Sequence, residues 1–152
     1  MVRTTSLSRP IIESLYSEAL LLADEVRSVF ALGMGEPAAD TSDHLRLALS
    51  SEGLRATTRM MHILAWLLNQ RAFFAGELNE AQLRRHGRLP EDRPSRSEDL
   101  DLLEHGTRDL IDDTIRLHRR IARLDQAWGE RFDTQPVVHN MHERLGRALS
   151  QR

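Results

Sequence analysis

Residues 51 to 77 carry apolar side chains at helical spacing on more than one face, and this feature constrains the fold most. One stripe repeats at steps of three and four and comprises Leu49, Gly53, Ala56, Met60, Ile63, Leu67, Gln70 and Phe74. A second stripe on an adjoining face comprises Leu54, Met61, Ala65, Leu68 and Ala72, and Trp66 extends the apolar arc. A single neighbouring helix cannot cover both stripes, so we expect two packed neighbours, or one neighbour and a second copy of the chain.

Periodic segments on both sides of this stretch supply the two neighbours. The first helix is predicted to begin near Ser8 and Pro10, which are helix-start signals, and to end between Gly33 and Gly35. A short polar connection then leads to a central helix over about residues 42 to 75, capped by Thr41 or Ser42 and antiparallel to the first helix. The third helix is clearest over residues 107 to 128. Its stripe is Leu110, Thr114, Leu117, Ile121, Leu124 and Trp128.

The connections and the end of the chain are less regular. Asn79 is predicted to cap a short helix that runs through His86, and residues 97 to 104 are expected to add a turn before the third helix. At 1.5 Å per residue the central helix is longer than the first, so we expect one of its ends to overhang. Gly53, with Ser50 and Ser51, marks the expected position of a bend. After Gly129 we expect a weakly attached tail with one short helix over residues 136 to 149.

These segments predict an all-α protein, an antiparallel three-helix bundle with a long central helix. The bundle domain is expected to span residues 1–129, and the tail residues 130–152. The predicted core consists of Leu15, Leu22, Met60, Ile63, Leu67, Leu117, Ile121 and Leu124.

Composition excludes several kinds of chemistry and localisation. The chain of 152 residues has no cysteine, and all 21 basic residues are arginine, so thiol catalysis, disulfides and lysine-based Schiff bases are excluded. The net charge of −2 offers no general attraction to nucleic acid or to an anionic membrane. No apolar run approaches the roughly 20 residues of a membrane helix, and the first ten residues lack a signal-peptide core. We therefore expect a soluble, cytoplasmic protein.

Two polar motifs are candidate ligand sites. His139, His142 and Glu143 form an HxxHE string that resembles a metal-binding pattern, but its order differs from HExxH, and a solvated face is the favoured interpretation. Arg116, Arg119, Arg120 and Arg123 line the outer face of the third helix and are of the type that binds phosphate. The preceding aspartates, Asp109, Asp112 and Asp113, favour a paired, solvated face instead. We predict no metal and no cofactor.

Polar side chains also interrupt the central helix. Thr57, Thr58 and Arg59 lie within its apolar part, and Gln70, Arg71 and Glu77 recur near its end, so some polar groups are expected inside the bundle, where they need hydrogen-bond partners. His62 is interpreted as a packing residue. No base and nucleophile stand at a spacing that specifies a reaction, so we predict no catalytic residues and no enzyme.

Three blocks of the sequence resemble a known family, the regulators of CtrA degradation (RcdA) of alphaproteobacteria. They are ESLYSEALLLADE at 13–25, SEGLRATTRMMHILAWLLNQRAFFAGE at 51–77 and IRLHRRIARLDQAW at 115–128. The middle block is the most specific. It contains Thr57, Thr58, Arg59, Trp66, Leu67, Leu68, Gln70, Arg71, Gly76 and Glu77.

The resemblance implies a three-helix bundle, expected to be a homodimer, that acts as a non-enzymatic adaptor. Such an adaptor helps to present response-regulator-type substrates to the ClpXP protease during cell-cycle control. The residues themselves are compatible with two classes of function. One is this protein-interaction adaptor, and the other is a nucleic-acid-associated transcriptional regulator that uses the Arg116 to Arg123 face.

Overall fold

The computed structural model describes the backbone of residues 2–33 and 42–149, and the side chains of residues 9–31 and 42–130. The described helices, numbered in chain order, are α1 (Val2–Gly33), α2 (Asp43–Phe74), α3 (Glu80–His86), α4 (Ser97–Leu100) and α5 (His105–Leu149). No strand occurs within the described ranges. The chain is therefore an all-α helical bundle, as the periodicity predicted.

Helices α1 and α2 pack antiparallel along their length. Phe30, near the end of α1, lies against Gly53, where an added Cβ would come 2.7 Å from the Phe30 Cδ1 atom. At the other end, the Arg71 Nε atom donates to Glu13 at 3.0 Å. Helix α2 is continuous across Gly53. The missing side chain lets the Phe30 ring approach the α2 backbone closely.

Helices α2 and α5 run parallel, because the contacts between them advance in the same direction along both helices. Arg59 of α2 bonds to Thr114 of α5, and Trp66, two turns later, bonds to Asp125. Helix α5 therefore begins at the same end of the bundle as α2. The connection over residues 75–104 has to travel back along the bundle to reach that end.

Local signals explain where the helices around this connection begin. The Ser42 hydroxyl caps α2 by accepting from the Leu45 amide at 3.2 Å. Asn79 and Gln82 form a reciprocal capping box at the start of α3. Both caps were predicted from the sequence.

The core lies where α1, α2 and α5 meet. Six of the eight predicted core residues are buried, and Leu22 and Leu124 are partly buried against them. Ile12, Ala19 and Val26, which continue the periodic stripe of the first helix, are buried as well, whereas the buried Phe30 and Ile111 were not predicted. The structure thus confirms the register of the first stripe of α2.

Three boundaries differ from the prediction. Helix α1 begins at Val2, so Pro10 lies inside it rather than at its start, although an interior proline lacks the backbone donor and its ring crowds the carbonyl of the preceding turn. Helices α1 and α2 are both 32 residues long, so α2 is not the longer of the two as expected. Helix α5 has 45 residues and crosses Gly129 without a break. The predicted separate tail helix is therefore wrong, because one glycine costs a helix only about 1 kcal/mol.

Within the described helices, none combines the length and the apolar content that a membrane span requires.

Leu67 tests the register of the core. Truncating this fully buried side chain (Leu67→Ala) should lower the free energy of unfolding by roughly 2 to 5 kcal/mol, since it removes apolar contacts and leaves a cavity. The neighbouring Leu68 is 47% exposed, so Leu68→Ala should change it by less than about 0.5 kcal/mol. Urea unfolding of both variants makes the comparison, and equal losses would show that the register is wrong.

Candidate functional site

A stripe of large apolar side chains on α2 is open to solvent. Leu47, Leu54, Met61 and Leu68 are 67%, 70%, 64% and 47% exposed. They recur every seven residues, which is nearly two helical turns, so they share one side of the helix. We call them the α2 stripe. Neither α1 nor α5 covers it.

The rest of this face is uncharged. From position 47 to position 74, the exposed residues of α2 are Leu47, Ser50, Leu54, Thr57, Thr58, Met61, Ala65 and Leu68. A solvated helix face normally carries charged residues, so this composition is unusual for a surface in water. The prediction that two neighbouring helices cover both stripes is therefore wrong for the second stripe. Periodicity identifies an apolar face but not what covers it.

The opposite side of α2 holds a buried charge. The Arg59 side chain is fully buried, and its Nε atom donates to the Asp92 carboxylate at 2.9 Å. Its Nη1 atom donates to the Thr114 hydroxyl of α5 at 2.9 Å, and its Nη2 atom donates to the Arg93 carbonyl at 3.4 Å. The guanidinium thus joins α2, α5 and the connection between them.

Further polar contacts bind residues 87–96, which we call the return segment, to the groove between α2 and α5. The two Asp125 carboxylate oxygens accept from the Trp66 indole at 2.9 Å and from the Leu89 amide at 3.1 Å. The His118 Nε2 atom lies 3.2 Å from the Pro90 carbonyl oxygen. Because these partners lie along the whole segment, it is bound at several points rather than at one.

Glu52 binds the far end of the return segment. It is fully buried, and its Oε1 atom accepts from the Arg55 side chain at 2.7 Å and from the Arg96 amide at 3.2 Å. Arg55 also pairs with Asp99 of α4 at 3.6 Å. The other carboxylate oxygen of Glu52, Oε2, is buried without a hydrogen-bond partner.

A small cavity lies where the return segment begins, beside the end of α2. Its volume is about 80 Å³, and Gln70, Leu83, Arg84, Arg88 and Trp128 are among the residues that line it. Trp128 stacks on Trp66 with ring centroids 5.6 Å apart. Gln70 is 3% exposed, and its Oε1 atom is buried without a partner.

The residues that the sequence singled out fall into different places. Arg59 and Gln70 are buried as expected, whereas Thr57 and Thr58 are exposed on the face of the α2 stripe. Arg71 lies over the Tyr16 ring at 4.2 Å and pairs with Glu13. Glu77 is exposed and His62 is half-buried.

The arginine face of α5 is partly paired. Arg120 donates to Glu18 of α1 at 2.8 Å, and Arg116 lies 3.9 Å from Asp113. Arg119 and Arg123 are exposed. The HxxHE string, His139, His142 and Glu143, lies outside the residues whose side chains the structure describes.

Three groups of the buried network were missed from the sequence, namely Glu52, Asp92 and Asp125. Each of them has a partner between 33 and 59 positions away along the chain, and no local spacing indicates those distant pairs. The buried Arg59 was the available signal, because a buried guanidinium requires an acidic partner somewhere in the fold.

Burial lowers the pKa of His118 below its ordinary value of 6.5. Asp92 and the Pro90 carbonyl act in the opposite direction, while the charges of Arg59 and His62 lower the pKa further. His118 therefore favours the neutral ring in the folded protein.

The protein is thus a helical bundle in which α2 has two different sides. Polar contacts hold the return segment on one side, and the apolar α2 stripe is open to solvent on the other. A sequence profile for a family described as a protein of unknown function (DUF1465) matches residues 3–150, so the chain belongs to that family. No curated protein and no solved structure matches the chain significantly.

Removing the partner of the buried Arg59 should destabilise the fold. Asp92→Ala leaves a fully buried guanidinium without its counter-charge, and we expect it to lower the free energy of unfolding by about 3 to 5 kcal/mol. Arg59→Met should cost less, because the remaining Asp92 is partly exposed and regains water. Urea unfolding measures both. The exposed pair of Arg27 and Asp24 provides the control, since Arg27→Met should stay within about 0.5 kcal/mol of wild type.

His118 should make stability depend on pH. Below pH 6.5 the unfolded chain binds a proton at this ring while the folded chain resists it, so the free energy of unfolding falls as the pH falls towards the lowered folded pKa. Above pH 6.5 the ring is neutral in both states and this contribution is constant. Urea unfolding at several pH values should show a smaller loss for His118→Gln than for wild type, and equal losses would contradict the assignment.

Proposed function

We propose that this chain is a non-enzymatic protein-interaction adaptor that helps to present response-regulator-type substrates to the ClpXP protease. The observation that supports an interaction role is the α2 stripe, which lies on a face with no exposed charge from position 47 to position 74. Covering such a face removes apolar area from water at little cost in desolvated polar groups.

The shape of the stripe suits a helical partner. Four large side chains at intervals of seven residues extend over about 32 Å of a helix, at 1.5 Å per residue. The small residues between them, Ser50, Thr57, Thr58 and Ala65, leave room for the side chains of a helix laid along the stripe. A partner that offers an amphipathic helix would bind in this way.

The protease and the substrate class come from the resemblance described above. The blocks at 13–25, 51–77 and 115–128 resemble the regulators of CtrA degradation, and the middle block contains Arg59 and three of the four residues of the α2 stripe, Leu54, Met61 and Leu68. A cytoplasmic location is part of the same proposal.

A homodimer is also part of the proposal. The positions of the stripe are symmetric about the midpoint between Thr57 and Thr58, since Leu47 and Leu68 are equally distant from it, as are Leu54 and Met61. In a dimer with a two-fold axis, the large residues of one copy would therefore lie opposite the large residues of the other. The solution mass of wild type and of a stripe variant tests this part.

Charged substitutions in the stripe test the interaction role. Leu54→Glu and Met61→Glu should reduce capture of the purified protease and a response-regulator substrate, and should slow degradation of that substrate, because the face could no longer be buried without burying a charge. Both side chains are exposed, so folding should be unaffected.

Leu21→Glu on α1 is the matched control, because Leu21 is also a leucine that is 70% exposed. It should capture and deliver the substrate like wild type. Stripe variants that deliver substrate at the wild-type rate would refute the role of this face.

A further inference from the structure

The outer face of α5 carries guanidinium groups without carboxylate partners. Arg116, Arg119 and Arg123 follow one another at steps of three and four residues, so they share an arc of about 60° around the helix. Arg116 lies 3.9 Å from Asp113. Among the residues whose side chains the structure describes, no carboxylate forms an ion pair with Arg119 or Arg123. The preceding aspartates therefore do not neutralise this face.

The spacing of these arginines works against the stability of α5. Arg116 and Arg120 are four residues apart, as are Arg119 and Arg123, and each of these pairs has a further arginine at a spacing of three. Like charges at these spacings repel one another on a helix surface and destabilise it. Only Arg120 gains a partner on another helix, Glu18 of α1. A natural sequence is expected to break such a local rule where function requires it.

The arginine face is separate from the core and from the α2 stripe. Arg119 and Arg123 are exposed, whereas Leu117 and Ile121, on the other side of α5, are buried in the core. The guanidinium groups at positions 119 and 123 thus contribute nothing to the packing of α5 against α2. An inference about this face does not rest on the adaptor role or on the α2 stripe.

The basic face is short, and acidic residues precede it on the same side of the helix. From Arg116 to Arg123 it extends over about 10 Å at 1.5 Å per residue. Asp112 and Asp109 come one and two turns before Arg116. A nucleic-acid strand carries a phosphate about every 3.4 Å over its whole length, so its backbone would continue onto these aspartates. A short acidic segment of a protein ends before it reaches them.

We propose that the outer face of α5 from Arg116 to Arg123 docks a short acidic helix of a partner protein. Carboxylates at steps of three and four residues on that helix stand opposite the three guanidinium groups, in the manner of the ion pairs that flank a coiled-coil seam. Exposed ion pairs add little affinity, but they speed the encounter and fix the orientation of the partner. The face thus steers and orients an acidic partner.

The test is an NMR titration of the ¹⁵N-labelled full chain with a helical peptide. The peptide has about 20 residues of alanine and glutamine, with three glutamates at successive steps of four and three residues. It should shift the backbone amides of residues 116–123 saturably, with a Kd on the order of millimolar at low salt. Added salt should weaken the binding, because the groups on both sides are exposed. The same peptide with glutamine in place of each glutamate should leave these amides unshifted.

Substitutions in the arginine face should separate binding from folding. Arg119→Gln and Arg123→Gln should each weaken binding of the acidic peptide by about two- to fivefold. Both variants should be at least as stable as wild type in urea unfolding, because each removes like-charge repulsion. Arg46, which is exposed near the start of α2, provides the matched control: Arg46→Gln makes the same change of charge and should bind like wild type.

Several results would overturn the proposal. One is the absence of saturable shifts at residues 116–123, or equal shifts with the glutamine peptide. Another is an affinity in Arg119→Gln and Arg123→Gln equal to that of Arg46→Gln. Tighter binding of a single-stranded oligonucleotide of equal charge to the same amides would assign the face to nucleic acid instead. A loss of stability in both arginine variants would show that these residues serve the fold.

Discussion

The buried guanidinium of Arg59 is the group on which the arrangement of this protein depends. A charge that is removed from water has to be paired and hydrogen-bonded, and Thr114, its contact on α5, is neutral. The counter-charge comes from Asp92 in the return segment. Burying Arg59 therefore requires that segment to lie in the groove, which is consistent with α5 starting beside the beginning of α2.

This path makes the two sides of α2 different. One side contacts α1, α5 and the return segment. There, Glu52 and Arg59 of α2, together with Asp125 of α5, bind groups of that segment. From position 47 to position 74, the other side is left with large apolar residues and no exposed charged residue. The same helix thus stabilises the fold and offers the surface on which the interaction proposal rests.

Much of the helical core was predictable, because burial in a bundle follows the 3.6-residue period directly. Met60, Ile63 and Leu67 are buried for that reason, and the caps at Ser42 and Asn79 depend only on residues within one turn. The second stripe was wrongly assigned to the interior. An apolar face has the same periodicity whether a neighbour covers it or solvent does, so Leu54 and Met61 could not be placed from spacing.

The all-α class, the positions of most helices and the apolar face of each follow from the sequence, since these properties arise from neighbours within a few residues. Three features follow only from the packing of the helices: α5 runs parallel to α2, Asp92 pairs with Arg59, and Gln70 borders a cavity. Those contacts join positions tens of residues apart. They depend on how the helices pack around one another, and no local sequence pattern predicts that packing.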